Sequence, residues 1–136
     1  MFSKKINDYD KELATQICQQ VANYNFENVL ELIPNEYDII DYDNKQQLLN
    51  EIKDKLKNQE LPLYFSKGFC NVCYMWYTKE ADIICFKSYH SLEILLSLAF
   101  IKTVDKKGYL GLKICMKPAN LKEDLDILNT DNPIDL

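Results

Sequence analysis

Ser91-Leu92-Glu93-Ile94-Leu95-Leu96-Ser97-Leu98-Ala99-Phe100-Ile101 is the stretch on which the fold turns. Leu92, Leu95, Leu96 and Ala99 recur at helical spacing, yet the run is also short and apolar enough for a buried strand, and period alone does not separate the two. The residues downstream of it decide. Asp105-Lys106-Lys107-Gly108 is a four-residue loop ending in glycine, which suits a hairpin. Glu93 to Val104 is therefore expected to be a strand, turned back onto Tyr109 to Met116. In that last segment Leu110, Leu112, Ile114 and Met116 alternate with Tyr109, Gly111, Lys113 and Cys115, which gives one apolar face.

Moving upstream, Asp82 to Ser88 and Phe69 to Tyr77 are rich in aromatic and β-branched residues and flank the polar turn Thr78-Lys79-Glu80-Ala81, so two more strands are expected. Before Pro62 the texture is helical. Asp10 stands where an N-cap is expected, ahead of Leu13, Ile17 and Val21 at four-residue spacing with Ala14, Cys18 and Tyr24 beside them. Asn25 is placed to cap a second helix with Phe26, Val29, Leu30 and Ile33 on one side, and Pro34 stops it. Glu36 to Tyr42 reads as a short strand or extended connection. Asn44 then caps a third helix that turns Leu48, Leu49, Ile52 and Leu56 inward. Downstream, Pro118 ends the last strand, and Leu121, Leu125 and Leu128 mark one face of a short acidic helix.

The expected architecture is α+β, with N-terminal helices packed on a curved antiparallel sheet. At 136 residues with 47% apolar content, one domain spanning 1–136 with a single core is expected, 119–136 forming an acidic C-terminal segment. The longest apolar stretch, Ile94 to Ile101, is far shorter than the roughly 20 residues a membrane helix needs. Asn7, Asp8 and Asp10 fall where a signal peptide would be apolar, so the expected location is the cytoplasm.

All 16 basic residues are lysine, and the formal charge is −5. Without arginine the chain lacks the planar fork that grips phosphates and guanine edges, and without a basic stripe a nucleic-acid partner is not expected. From Ala119 to Leu136 five acids (Glu123, Asp124, Asp126, Asp131, Asp135) accompany one base, Lys122. A second acidic run, Glu36, Asp38, Asp41 and Asp43, has no base among its eight positions. These four are the candidate partner-binding residues.

Motifs that carry chemistry are scarce. Cys70-Asn71-Val72-Cys73 has zinc-knuckle spacing, and Cys85 with His90 can be imagined as the other two ligands, but five residues apart they do not form a second tight pair. In a regular strand Cys70 and Cys73 would also point to opposite faces. Buried thiols, with no metal and no cofactor, are the expectation. Asp41-Tyr42-Asp43-Asn44-Lys45 opens like a calcium loop, yet places lysine at the third ligand position and lacks the glycine and terminal glutamate. His90 is the only histidine, and no nucleophile elbow or phosphate loop accompanies it. Tyr74, Trp76 and Tyr77 form an aromatic patch; Tyr74 and Trp76, with His90, are the candidate ligand-pocket residues.

The order of elements, helices at Leu13 to Tyr24 and Phe26 to Ile33, the extended Glu36 to Tyr42, a helix at Lys45 to Asn58 and strands from Phe69 to Met116, resembles the NTF2-like, or cystatin-like cone, family. The likeness is one of element order over most of the chain, without a diagnostic motif. It implies a sheet wrapped around a pocket that in some members holds a small apolar ligand or a catalytic dyad. In others the pocket is filled and the domain serves binding or dimerisation, so a homodimer through the open sheet face is a further expectation. The function expected first is a non-enzymatic protein-binding domain, such as a bacterial immunity or antitoxin-type protein whose acidic face covers a toxin's basic site. The alternative is a small-molecule-binding or isomerase/dehydratase-like enzyme with an aromatic pocket.

Overall fold

The computed structural model describes residues 2–69, 81–88, 90, 93–102, 109–115 and 119–120. The first helix, α1, runs over Phe2–Ala22, so Asp10 lies inside it and does not cap it. No glycine or proline interrupts residues 2–22, and an uninterrupted helix gains a hydrogen bond per added residue. Ala14, Ile17, Cys18 and Val21, spaced one turn apart, are fully buried.

The C-terminus of α1 is closed by a Schellman arrangement. Asn25 N–H reaches the Gln20 carbonyl at 2.9 Å, Tyr24 N–H reaches the Val21 carbonyl at 3.0 Å, and Tyr24 itself sits at φ 62°. Glycine usually occupies such a left-handed position. Here tyrosine is held by its own contacts: its hydroxyl donates to the Lys53 carbonyl at 3.0 Å, and its ring meets Phe26 edge-on at 4.7 Å. Helix α2, Phe26–Leu32, buries Phe26 and Val29, and ends before Pro34.

Next come β1, Asp38–Ile39, and α3, Lys45–Leu56. Asn44 caps α3 as expected, its side-chain oxygen accepting from Gln47 N–H at 2.9 Å, while Gln47 Oε1 accepts from Asp43 N–H at 3.0 Å. Leu48, Leu49, Ile52 and Leu56 are all buried.

The remaining strands are β2 (Tyr64–Phe69), β3 (Ala81–Lys87), β4 (Ile94–Lys102), β5 (Tyr109–Ile114) and β6 (Ala119–Asn120). Residues 94–101, ambiguous by period, are thus strand. Strand β2 comes earlier than the expected Phe69 to Tyr77, whose residues beyond 69 lie outside the described set, as do Leu121 to Leu128. Among the described residues the sheet has the order β1-β5-β4-β3-β2-β6. Neighbours pair antiparallel except β1, which runs parallel to β5. The expected antiparallel sheet is therefore corrected to a mixed one. A strand between α2 and α3 joins the last long strand of the sheet through a distant crossover, which permits parallel pairing. Gly111 eases the approach: a β-carbon there would stand 3.3 Å from the Asp38 carbonyl oxygen and 3.4 Å from Ile101 Cβ, tight enough to push β1 outward by a few tenths of an ångström.

Strand alternation sorts side chains to two faces. Phe65, Ile84, Phe86, Leu98, Phe100 and Leu112 join the residues of α1, α2 and α3 in the larger core. Ile83, Cys85, Ala99, Ile101 and Cys115 form a second cluster on the other face, and these too are 8% exposed or less. Both faces of β3 and β4 are buried, which explains why residues 94–101 read as nearly continuous apolar sequence. Between Phe86 and Lys87 the register slips by one residue against β4, a bulge that leaves Leu95 without an opposite number.

Candidate functional site

The acidic run lies along β1 and the turn into α3. Tyr37 is drawn into the core, its N–H donating to the Pro34 carbonyl, while Glu36 and Asp38 on either side point to solvent, as alternation requires. Past Ile40, whose N–H is bound by the Leu112 carbonyl at 3.0 Å, the chain turns at Asp41, φ 74°. Aspartate tolerates this left-handed conformation better than most residues. The turn folds Tyr42 back against the larger core and leaves Asp43 exposed next to the α3 cap.

Glu36, Asp38, Asp41 and Asp43 are thus all exposed, Asp38 on the edge strand β1 and the other three in the turns that flank it. Asp41 lies 3.6 Å from the Lys113 ammonium on the neighbouring strand. Among the described residues no cation pairs with Glu36, Asp38 or Asp43. Lys45, the base closest in sequence, is committed elsewhere: its ammonium donates to the Ile33 carbonyl at 2.8 Å and to Asn35 Oδ1 at 2.9 Å, holding the end of α2. The negative field reaches Tyr42, whose phenol is raised above its ordinary pKa by partial burial first and then by Glu51 and Asp41.

Beside this edge lies a depression of about 450 Å³ between β1 and the start of α3. Pro34, Tyr37, Ile39 and Tyr42 supply its apolar walls, and Asp38 and Asp43 border it. A second depression, about 390 Å³, opens between α2 and α3, lined by Tyr24, Phe26, Leu30, Leu49 and Lys53 among others.

Of the candidate pocket residues, Tyr74 and Trp76 lie outside the described set. His90 is exposed, at the turn after β3, where its Nε2 pairs with Glu60, also exposed. Cys70 and Cys73 lie outside the described set too. Cys85 is buried in the second cluster, and among the described residues no group of three or more His, Cys, Asp or Glu side chains converges on a metal position. Cys18 is sealed inside the larger core, where burial pushes its thiol far up, so it carries no thiolate reactivity.

Two polar groupings carry no sequence motif. Lys87 is fully buried and donates to Ser66 Oγ at 2.7 Å. Strand register sets Ser66 against Cys85, and Cys85 against Ser97, in one row across β2, β3 and β4. At the other end of the strands, Asp82 is shared by Lys102 at 3.0 Å and Lys67 at 3.8 Å. The signal for Lys87 was its parity: it shares a face with Ile83 and Cys85, and that face is buried.

Comparison with protein-family models, with curated proteins and with solved structures found no match to this chain. Among the described residues no helix is long and apolar enough to cross a membrane.

Proposed function

We propose that this chain is a non-enzymatic binding domain that recognises the basic surface of another protein through its β1 edge. The observation that carries the reading is that three exposed carboxylates, Glu36, Asp38 and Asp43, on and beside the edge strand β1, have no ion-pair partner among the described residues. Isolated carboxylates at an edge strand also discourage edge-to-edge pairing, but β1 is only two residues long and needs little such protection. In its most concrete form the protein is a cytoplasmic immunity or antitoxin-type protein that covers the basic active site of a toxin.

The fold fits an NTF2-like reading on the same footing. Three helices lie against one face of a sheet whose long strands form a meander, with a short strand between α2 and α3. The space between helices and sheet is filled by Phe65, Phe86, Phe100, Leu98 and Leu112, all fully buried, which favours a binding module over the isomerase- or dehydratase-like alternative. A homodimer through the opposite sheet face gains no support from the second cluster, which is already covered within one chain.

The test is binding to the product of a neighbouring gene, measured by calorimetry across a salt series. The quadruple variant Glu36→Gln, Asp38→Asn, Asp41→Asn, Asp43→Asn is expected to lose on the order of tenfold to a hundredfold in affinity and to show a shallower salt dependence. Wild-type affinity in that variant removes the proposal.

A further inference from the structure

We infer that the groove between β1 and α3 is the seat for a single lysine or arginine side chain of the protein partner. The inference rests on the reading of the β1 edge as a protein-binding surface and assigns its anchor. Pro34, Ile39, Tyr37 and Tyr42 offer apolar and aromatic wall along which an aliphatic stem is buried, and Asp38 and Asp43 at the border meet its charged head. The volume, about 450 Å³, is ample for one such side chain.

Charge complementarity fixes the sign of the occupant. The one base that lines the groove, Lys45, donates to the Ile33 carbonyl and Asn35 and keeps its positive charge, so with Asp38 and Asp43 the lining carries a net negative charge of one. An anionic or neutral side chain would leave Asp38 and Asp43 facing it without compensation. The α2–α3 groove differs on this point, since the charges that line it, Lys53 and Glu27, sum to zero and select neither sign.

The test uses the full chain, isotope-labelled, titrated with three blocked tripeptides: acetyl-Gly-Arg-Gly-amide, acetyl-Gly-Lys-Gly-amide and acetyl-Gly-Gln-Gly-amide. The first two are expected to shift the backbone amides of Ile39, Asp43 and Asn44 saturably, and the glutamine peptide is expected to leave them in place. Asp38→Asn with Asp43→Asn is expected to lower the affinity for the cationic peptides about tenfold, two exposed charge contacts being removed. Shifts that do not saturate, that are equal for the glutamine peptide, or that survive in the double variant overturn the inference. If the groove fails in this way while the quadruple variant still loses its protein partner, the edge reading stands without its anchor. Loss of the partner through Asp38 and Asp43 together with loss of the peptide shifts upholds both.

Discussion

The two faces of the sheet are built from the same strands and are both buried, yet they are made of different material. Toward the helices stand Phe65, Ile84, Phe86, Leu98, Phe100 and Leu112; on the opposite side Ile83 and Ile101 stand among the smaller or polar Ser66, Cys85, Lys87, Ser97, Ala99 and Cys115. Large apolar side chains fill the angular space that three helices leave above a sheet. Small and polar ones leave the backbone of the other face closely approachable, and they carry hydrogen-bonding groups that must be satisfied inside. One face therefore stabilises through volume alone, the other through pairing as well, and single substitutions should separate the two contributions.

The largest effect is expected on the helix side. Phe86, fully buried and packed on Phe65 with ring centroids 5.9 Å apart, should cost about 3–5 kcal/mol when changed to alanine, read as a fall in the urea midpoint. A loss below about 1 kcal/mol would mean that the helices do not press on the sheet there.

On the far face volume matters less and pairing more. Ser66→Ala removes only one oxygen, but it takes an acceptor at 2.7 Å from the fully buried Lys87 Nζ. Depriving a buried polar group of a hydrogen bond costs about 1–3 kcal/mol, so a loss of that size is expected despite the small change in volume. Rescue by Ser66→Thr, which keeps the hydroxyl, would separate the bond from the packing.

The helix-side core also reaches the β1 edge, through Tyr42. Its pKa is raised in the folded chain, so the neutral phenol is favoured there relative to the unfolded chain. This contribution is complete below the unfolded value, near 10, and is lost as pH rises through the higher folded value. Tyr42→Phe is expected to flatten the alkaline arm of the stability profile while leaving neutral pH nearly unchanged. An unaltered alkaline arm would show that neither burial nor Glu51 and Asp41 raises the Tyr42 phenol.

How far this could be read from the chain differs by region for physical reasons. The limits of β3, β4 and β5 follow from turn chemistry and alternation to within a few residues, and Asn44 and Pro34 mark helix ends through their own side chains. Local chemistry of this kind is written in neighbouring residues. The parallel pairing of β1 is not, because two residues hold no periodicity and the partner stands more than seventy positions away. Asp10 misled because a good cap residue is also tolerated inside a helix whose neighbours continue it. Among the site residues, Glu36, Asp38, Asp41 and Asp43 were legible as a charge run, whereas the groove beside them depends on Asp41 taking φ 74° and turning Tyr42 inward. The Lys87–Ser66 bond required knowing strand register across 21 positions, which no local pattern supplies.

The smallest expected effect tests whether pairing truly governs the far face. Ser97 occupies the same row as Ser66, two strands away, and is equally buried, but its hydroxyl has no hydrogen-bond partner among the described residues. A buried hydroxyl that has lost water and gained nothing is a cost to the folded chain, so Ser97→Ala should be neutral or stabilising by up to about 1 kcal/mol. The same chemical change, serine to alanine on one face of one sheet, is thus expected to act in opposite directions at two positions. Urea unfolding of the two variants and of the double variant decides it. If Ser97→Ala costs as much as Ser66→Ala, the contrast between a face held by volume and a face held by pairing fails, because serine would then matter there for its shape alone.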